Sequence, residues 1–556
     1  MNILMVMPKS SHGEFFPIGM AYISSFLKYK GYNVFCLNLN SYDKPDYEIL
    51  EHHIRKYDIK IACTGGISLF YTKLKYLVKV IKSIDQNIIT IVGGGVVSSD
   101  PELILNNLKM DFGVIGEGEY TVAELVDAVT NKKDFNQIKG IIYKDERGMI
   151  VRTQPRPEIK DLDSLPYPDY AGFNIERYIE QSIPDTSFYR AVGLDKPRVL
   201  DITSSRSCPF SCTFCFHTSG KTYRQRTLES FFKEVEYIID KYGVNVLSVC
   251  DELFSVDSDR MLKFGEMAKK CKVKWRVSIK VNPPVDLNVL KQLKEFGLIH
   301  IIFGLESVNN KILKSMKKGI TSEQINKALK TVYNAKLCFG GNFLVGDIEE
   351  TVETANDTIA WWAKHPELNT NLSIGDRVIT FPGTFLYHHA VNTGLIKDRI
   401  KFIEEGCPVV NVTNNMNEKD YLYLKWKLYK IKKNPEYLSV GKVLYARKTG
   451  NLNGQNIYYL KIKCPHCNIV SEYNDCWQDV TDRSLLFTAT CKNKNCCQSF
   501  KVSCRKAFYK NYKAIIKLEF YNLFKTVFAT LYMTKYEFLN RKKISSSQSL
   551  CRSTTH

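Results

Sequence analysis

The sequence predicts an α/β protein in three parts: an N-terminal Rossmann-like domain, a partial (β/α)6 barrel of the TIM type, and a C-terminal cysteine-rich module resembling a zinc ribbon. Three observations lead there. Short apolar runs alternate with helix-period segments in two successive series, one within residues 1–135 and one from about residue 197. Cys208, Cys212 and Cys215 fall within eight positions, just after the first run of the second series. Two further cysteine groups, Cys464-Pro-His-Cys467 and Cys491 to Cys496 or Cys497, lie about 24 residues apart in the last quarter of the chain.

Composition sets the frame. A chain of 556 residues is too long for one core. With 44% hydrophobic and 24% charged residues it is globular rather than disordered. The opening MNILMVMPKSSHGEFF has no basic leader and runs straight into a strand pattern, so no signal peptide is expected. Nor does any run of about 18 apolar residues escape a charge, so no membrane span is expected. Ten of the seventeen cysteines cluster in two places, which argues for metal-bound thiolates in a reducing, cytoplasmic setting rather than for disulfides. The net charge of +20 is uneven, because residues 420–556 carry 25 Lys and Arg against 8 Asp and Glu.

In the first domain, ILMVM, NVFCLNL, IKIACTG, IITIVG and FGVIG read as buried parallel strands separated by helices. Ligands of such sheets sit at the carboxyl ends of the strands. Those ends carry Gly65-Gly66, Gly93-Gly94-Gly95 and the run Gly116-Glu117-Gly118-Glu119. These glycines suit either the close approach of a bulky ligand or ordinary tight turns. No G-x-G-x-x-G opens the first helix, which argues against a nicotinamide dinucleotide. Residues 136–195 read as a bridge, with a hairpin in IKGIIYKDERGMIVR followed by the Pro- and Asp-rich DLDSLPYPDY.

In the second domain, 196–425, six runs read as barrel strands: RVLDITS, NVLSVCDE, VKWRVSIK, HIIFGLES, CFGGNFLVG and LSIGDRVITFPG. Thr321 and Gln324 have the spacing of a capping box at the start of one helix. The triple-cysteine loop lies at the carboxyl end of the first strand, where barrel chemistry gathers. Thiolates are the usual ligands of iron–sulfur clusters, and a four-iron cluster held by three cysteines keeps one iron open. Zinc competes, but a structural zinc site wants four ligands, and His217 as the fourth would crowd one short loop.

The Cys-x3-Cys-x2-Cys loop, with the aromatic Phe214 before its last cysteine, closely resembles that of the radical S-adenosylmethionine superfamily. The resemblance implies that Cys208, Cys212 and Cys215 hold a 4Fe-4S cluster whose open iron chelates S-adenosylmethionine. The cluster's electron would then cleave it to methionine and a 5'-deoxyadenosyl radical that takes hydrogen from a substrate. The order of FFPIG (with Pro17 and Gly19), VGGG, GEGE, LDSLPYPD, the cysteine loop, GLES, GNFLVG and FPGT is similar to the subfamily with an N-terminal cobalamin-binding domain. That subfamily includes the anaerobic cyclase of chlorophyll synthesis and many methyltransferases. It implies cobalamin held around Gly93–Gly95 and Gly116–Glu119, and S-adenosylmethionine held near Phe214, Glu306 and Ser307.

Two departures stand out. Asp251 or Glu252 replaces the Gly-Gly-Glu of other members, so either carboxylate could receive the cofactor's ammonium. Asp-x-His-x-x-Gly is absent, and His12, His52 and His53 do not fit it, so cobalamin is expected without a protein axial ligand. The implied chemistry is methyl transfer to an unactivated carbon of a small-molecule or natural-product substrate, with a flavodoxin- or ferredoxin-type reductant. A radical cyclisation, oxidation or rearrangement is the alternative, and an RNA-modifying enzyme with a nucleic-acid-binding tail is a third.

The resemblance stops near residue 425. In 426–556, Cys464, Cys467, Cys491 and Cys496 have the two-plus-two pattern of a zinc site, with Cys476 and Cys504 as spare thiols and an auxiliary iron–sulfur cluster as the rival metal. Residues 505–540 lack Gly and Pro and mix Lys with apolar residues at helical spacing. They suit a solvated helix, or a basic helix on a membrane surface or nucleic acid.

Overall fold

Seven strands build the N-terminal sheet of the computed structural model, which describes residues 1–10, 15–181, 189, 192–254, 257–452, 455–477, 486–493 and 495–503. They are β1 (Asn2–Met7), β2 (Asn33–Asn38), β3 (Ile59–Gly65), β4 (Ile89–Gly93), β5 (Phe112–Val114), β6 (Ile141–Lys144) and β7 (Ile150–Arg152), in the order β2-β1-β3-β4-β5-β6-β7. The first five are parallel. Five of the six β1 residues are buried, as a strand needs when it is flanked on both edges and covered by helices. The strand order reverses between β1 and β3, and a crevice opens at the carboxyl ends beside such a reversal.

The hairpin expected in the bridge is β6–β7, and it pairs antiparallel onto β5, extending this sheet. Its Ile141, Ile142 and Tyr143 are buried there. The Pro- and Asp-rich segment after it is also packed. Leu162, Leu165 and Tyr170 are buried, the Tyr170 ring stacks on Phe16 at 5.5 Å, and its hydroxyl donates to the buried Glu234 carboxylate. Prolines and aspartates supply the turns, while the apolar residues between them find a core.

The barrel strands follow: β8 (Val199–Ile202), a short antiparallel ribbon of β9 (Ser205–Arg206) and β10 (Arg224–Gln225), then β11 (Val246–Val249), β12 (Lys274–Ile279), β13 (Leu298–Glu306) and β14 (Cys338–Val345). β8, β11, β12, β13 and β14 pair in parallel in chain order, as an open barrel requires. The sixth expected strand is β15 (Leu372–Arg377), and just beyond it the Val378 amide donates to the Val345 carbonyl at 2.9 Å. Helix Leu228–Tyr242 starts at an N-cap, Thr227, and stops at Gly243, whose φ of +62° a Cβ would strain. Helix Ser322–Asn334 opens with the capping box of Thr321 and Gln324.

The chain divides into two compact units. The first comprises Met1–Thr186, Leu194–Glu350 and Asp376–Asn415; the second comprises Ser187–Gly193, Thr351–Gly375 and Met416–His556. Within the second unit, helices Val352–Lys364 and Glu418–Lys433 meet. Lys427 Nζ donates to Asn356 Oδ1 at 2.6 Å, and Tyr421, Leu424 and Leu428 form a buried stripe. The boundary expected at residue 425 thus falls inside a helix. The same unit holds a sheet of β16 (Val440–Leu452), β17 (Gln455–Lys463), β18 (Val470–Trp477), β19 (Leu486–Thr490) and β20 (Ser499–Ser503), ordered β18-β17-β16-β20-β19. Among the described residues no helix is long and apolar enough to cross a membrane. Cys504 and the basic stretch 505–540 lie outside the described residues.

Candidate active site

The glycines around the strand ends play different parts. A Cβ on Gly65 would come within 2.7 Å of the Gly93 carbonyl oxygen, and one on Gly94, at φ +84°, within 2.8 Å of the Gly66 carbonyl oxygen. Backbone packing demands these. Gly19 and Gly116 have nothing within 4 Å of where a Cβ would sit, so they leave space. That space belongs to a cavity of about 610 Å³ within the first unit. One wall comes from the carboxyl ends of the N-terminal sheet and their flanks, including Met5, Met7, Phe16, Pro17, Gly19, Gly93, Gly94, Gly95 and Gly116 to Glu119. The other comes from the base of the cysteine loop and the end of β11: Ser205, Arg206, Ser207, Thr218, Ser219, Cys250 and Glu252. No histidine lines it among the described residues. His53 sits instead on helix Asp46–Lys56 with Nδ1 2.7 Å from the Ile49 carbonyl oxygen, and His12 lies outside the described residues.

The carboxylates of the GEGE turn are spoken for. Glu117 receives Arg206 at 2.8 Å, Arg224 at 2.7 Å and the Ile159 amide at 2.7 Å. Glu119 receives the other Arg206 nitrogen at 2.6 Å. All four side chains are largely buried, and the Arg206 guanidinium also sits 5.0 Å from the Tyr22 ring centroid. These acids therefore wall the cavity while their charges are neutralised by arginines of β9 and β10. Arg206 lies two residues before Cys208, so the same cluster ties the base of the cysteine loop to the glycine turn.

The loop itself is pinned. The Thr213 amide donates to the Met316 carbonyl at 3.1 Å, and the Thr213 carbonyl accepts from Leu386 at 3.1 Å. Cys208 and Cys212 are half-buried and Cys215 is exposed. Desolvation pushes the half-buried Cys208 thiol up, and for Cys215 desolvation of the sulfur by the loop packed around it, with the nearby Cys212 and Glu252, does the same, up to about 11, so a metal here would displace protons. Both His217 ring nitrogens are engaged, Nδ1 with Glu252 at 2.8 Å and Nε2 with the Phe210 carbonyl at 3.0 Å. The hydrogen bond to Glu252 raises the His217 pKa. His217 is thus no fourth ligand, and the loop offers three thiols, the donor set of a four-iron cluster with one open iron.

Asp251 and Glu252 part company. Asp251 is buried and accepts from the Ser204 amide at 2.7 Å, the Ser204 hydroxyl at 2.6 Å and the Ser205 amide at 3.1 Å. Burial pushes its carboxyl up to about 6 despite those donors. It holds the chain leading into the cysteine loop and does not line the cavity; Glu252 does. Glu306 and Ser307 are buried at the end of β13, with Glu306 at φ +62° and its Oε1 2.7 Å from Lys318 Nζ. That ammonium also lies 5.6 Å from the centroid of the Phe214 ring, joining β13 to the cysteine loop. Sequence reasoning missed Arg206, Arg224 and Lys318. The signal for the arginines was two acids two residues apart in one turn, which once buried need cationic partners.

The comparisons with known proteins agree with this arrangement. The model of the B12 binding domain matches residues 6–126 and that of the radical SAM superfamily matches residues 202–361, together about half of the chain. A methyltransferase of Pyrococcus horikoshii, itself described as uncharacterized, is 29% identical over 386 residues, 68% of this chain and 79% of its own. The anaerobic magnesium-protoporphyrin IX monomethyl ester cyclase of Rubrivivax gelatinosus is 26% identical over 392 residues, 66% of this chain and 68% of its own. The solved structure of the radical S-adenosylmethionine methyltransferase TsrM from Kitasatospora setae, with cobalamin and a [4Fe-4S] cluster bound, shares the fold with a TM-score of 0.58 at 18% identity. That match covers 70% of this chain and 78% of TsrM. The apolar, glycine-rich cavity suits a corrin and the three-thiol loop suits a cluster. The chain belongs to the radical SAM superfamily, in the group that joins a B12 binding domain to the radical SAM core, with a 4Fe-4S cluster, S-adenosylmethionine and cobalamin as its cofactors.

Proposed function

We propose that the protein is a cobalamin-dependent radical SAM methyltransferase acting on an unactivated carbon of a small molecule. One observation carries the reading: a single cavity has the carboxyl ends of the B12 binding sheet as one wall and the base of the cysteine loop as the other. Cofactors bound on those two walls would face a common space. When bound, the cluster and S-adenosylmethionine supply one-electron bond cleavage and hydrogen abstraction, and cobalamin supplies the methyl group.

The chain's own part is placement. Cys208, Cys212 and Cys215 hold the cluster. Glu252, at the cavity wall beside Ser205 and Ser207, receives the ammonium of S-adenosylmethionine. Asp251 and the Lys318–Glu306 pair brace the strand ends around it. Met5, Met7, Phe16 and Ile23 give the cavity an apolar lining that excludes water from the reacting carbon. A flavodoxin- or ferredoxin-type protein serves as reductant, and a reducing cytoplasm suits an oxygen-sensitive cluster.

A second reading, radical cyclisation or oxidation without methylation, is favoured by the cyclase among the relatives. One experiment separates them. Full-length protein, purified and reconstituted anaerobically with iron, sulfide and hydroxocobalamin, is given reductant, methyl-deuterated S-adenosylmethionine and a small-molecule extract. A product carrying the deuterated methyl group, formed together with 5'-deoxyadenosine, is the expected result. Formation of 5'-deoxyadenosine with an unlabelled product would transfer the assignment to the second reading.

A further inference from the structure

The second unit contains a site that the radical chemistry does not use. β17 and β18 form one antiparallel hairpin, with Cys464 and Cys467 in its turn, and β19 and β20 form another, with Cys491 and Cys496 in its turn. The two turns meet. Cys464 and Cys496 sulfurs are 3.9 Å apart, those of Cys467 and Cys491 are 3.6 Å apart, and all four lie within 4.8 Å of one another. A single ion with Zn–S bonds of about 2.3 Å needs its four sulfurs about 3.8 Å apart, the edge of the tetrahedron they form. A four-iron cluster needs more room, because each thiolate binds a different iron at an outer corner.

The surroundings suit thiolates as well. Backbone amides of His466, Asn493 and Gln498, each two residues beyond a cysteine, are directed at the sulfurs of Cys464, Cys491 and Cys496. Such amide-to-sulfur bonds disperse the negative charge of a tetrathiolate. Cys464, Cys491 and Cys496 are buried and Cys467 is half-buried, so no open coordination position faces a substrate. Cys497 is the other candidate for the fourth place, but its thiol donates to the Asn493 carbonyl at 3.6 Å. Among the described residues the apolar core beneath the site has ten buried members, three of them the cysteines themselves, and small cores gain from a staple.

We propose that Cys464, Cys467, Cys491 and Cys496 bind one zinc ion in a closed tetrahedral site that holds the two hairpins together, each thiol releasing its proton to solvent on binding. The site is structural and independent of the iron–sulfur cluster.

Metal analysis of the full chain, purified anaerobically from zinc-supplemented cells, tests this. About one zinc per chain is expected, the load of a single site. It should persist in the Cys208→Ala, Cys212→Ala, Cys215→Ala triple variant, so the result stands apart from the assignment of the barrel cluster. Cys497→Ser should keep the zinc, whereas Cys464→Ser with Cys491→Ser should lose it and keep the barrel iron. Should that double variant fail to fold, exchange of cobalt(II) into the wild-type chain decides the matter. Intense sulfur-to-cobalt charge-transfer bands with tetrahedral ligand-field bands are expected. Absence of both zinc and the cobalt bands, iron and sulfide in place of zinc, or loss of zinc in Cys497→Ser would each overturn the proposal.

Discussion

Two adjacent acids, Asp251 and Glu252, show how little a residue's type says about its work. Asp251 meets three donors, two backbone amides on Oδ1 and the Ser204 hydroxyl on Oδ2. Asparagine can reproduce all three contacts, since its amide oxygen still accepts from the two backbone groups and its nitrogen can donate to the hydroxyl. Alanine orphans them. Asp251→Ala is therefore expected to cost about 3 kcal/mol and to lower iron loading, with Asp251→Asn close to wild type, measured by thermal unfolding and iron analysis. Asp251 also carries a pH response. The folded Asp251 carboxyl, raised from 3.8 to about 6, holds a proton that the unfolded chain releases over that window. Its contribution to stability is full below pH 3.8 and is lost as the pH rises through about 6, so the melting-temperature gap between wild type and Asp251→Asn should change between about pH 4 and about pH 7. Glu252 lines the cavity instead. Glu252→Gln should weaken S-adenosylmethionine binding about tenfold, the loss of one charge-assisted contact, with iron content unchanged. Equal affinity in equilibrium dialysis would remove Glu252 from the ammonium site.

At the scale of elements, the GEGE turn and the β9–β10 ribbon act as one part. Arg206 bonds both Glu117 and Glu119, and Arg224 bonds Glu117 again, in surroundings where an unpaired charge is expensive. Arg206→Ala leaves two buried carboxylates short of a partner, and breaking such a buried pair costs about 3–5 kcal/mol. Since Arg206 stands between the glycine turn and Cys208, this variant should lose hydroxocobalamin uptake and iron together. Gly94→Ala offers the contrast. Its Cβ would strike the Gly66 carbonyl from a φ of +84°, a strain confined to the N-terminal sheet. Cobalamin uptake should fall there while iron loading holds. Parallel loss of both in Gly94→Ala, or of neither in Arg206→Ala, would contradict the coupling. Optical spectra and iron analysis of the same preparations provide both readouts.

For the whole molecule, the division into units determines where the chain can be cut. Helix Val352–Lys364 belongs in sequence to the barrel series, yet it packs in the second unit against Glu418–Lys433, with Lys432 also donating to the Ile374 carbonyl at 3.1 Å. A chain ending at residue 415 or 425 strips or splits that partner helix and uncovers apolar surface; a chain ending at residue 437 keeps it. The longer fragment should stay monomeric and bind iron, and the shorter ones should aggregate, as size-exclusion chromatography can establish. Equal behaviour of all three would mean that the stripe of Tyr421, Leu424 and Leu428 adds nothing to the fold.

The sequence by itself determined whatever depends on local spacing. Strand runs, the Thr321–Gln324 cap, the three-thiol loop and the paired cysteine turns are short-range patterns, and each reappears at its residues in the folded chain. The family was legible for the same reason, since its motifs are contiguous. Tertiary structure alone decided what depends on partners far away in sequence. It recruited the hairpin of 141–152 to the N-terminal sheet, matched Glu117 and Glu119 with Arg206 and Arg224 far along the chain, occupied both nitrogens of His217, and set Cys496 rather than Cys497 beside the other three thiols. It also set Glu252 on the cavity wall and turned its neighbour Asp251 inward. Periodicity says which side of an element is buried. Which charge or donor waits on the other side is decided only when the chain brings the two together, because desolvation makes the cost of an unmet polar group depend on that encounter.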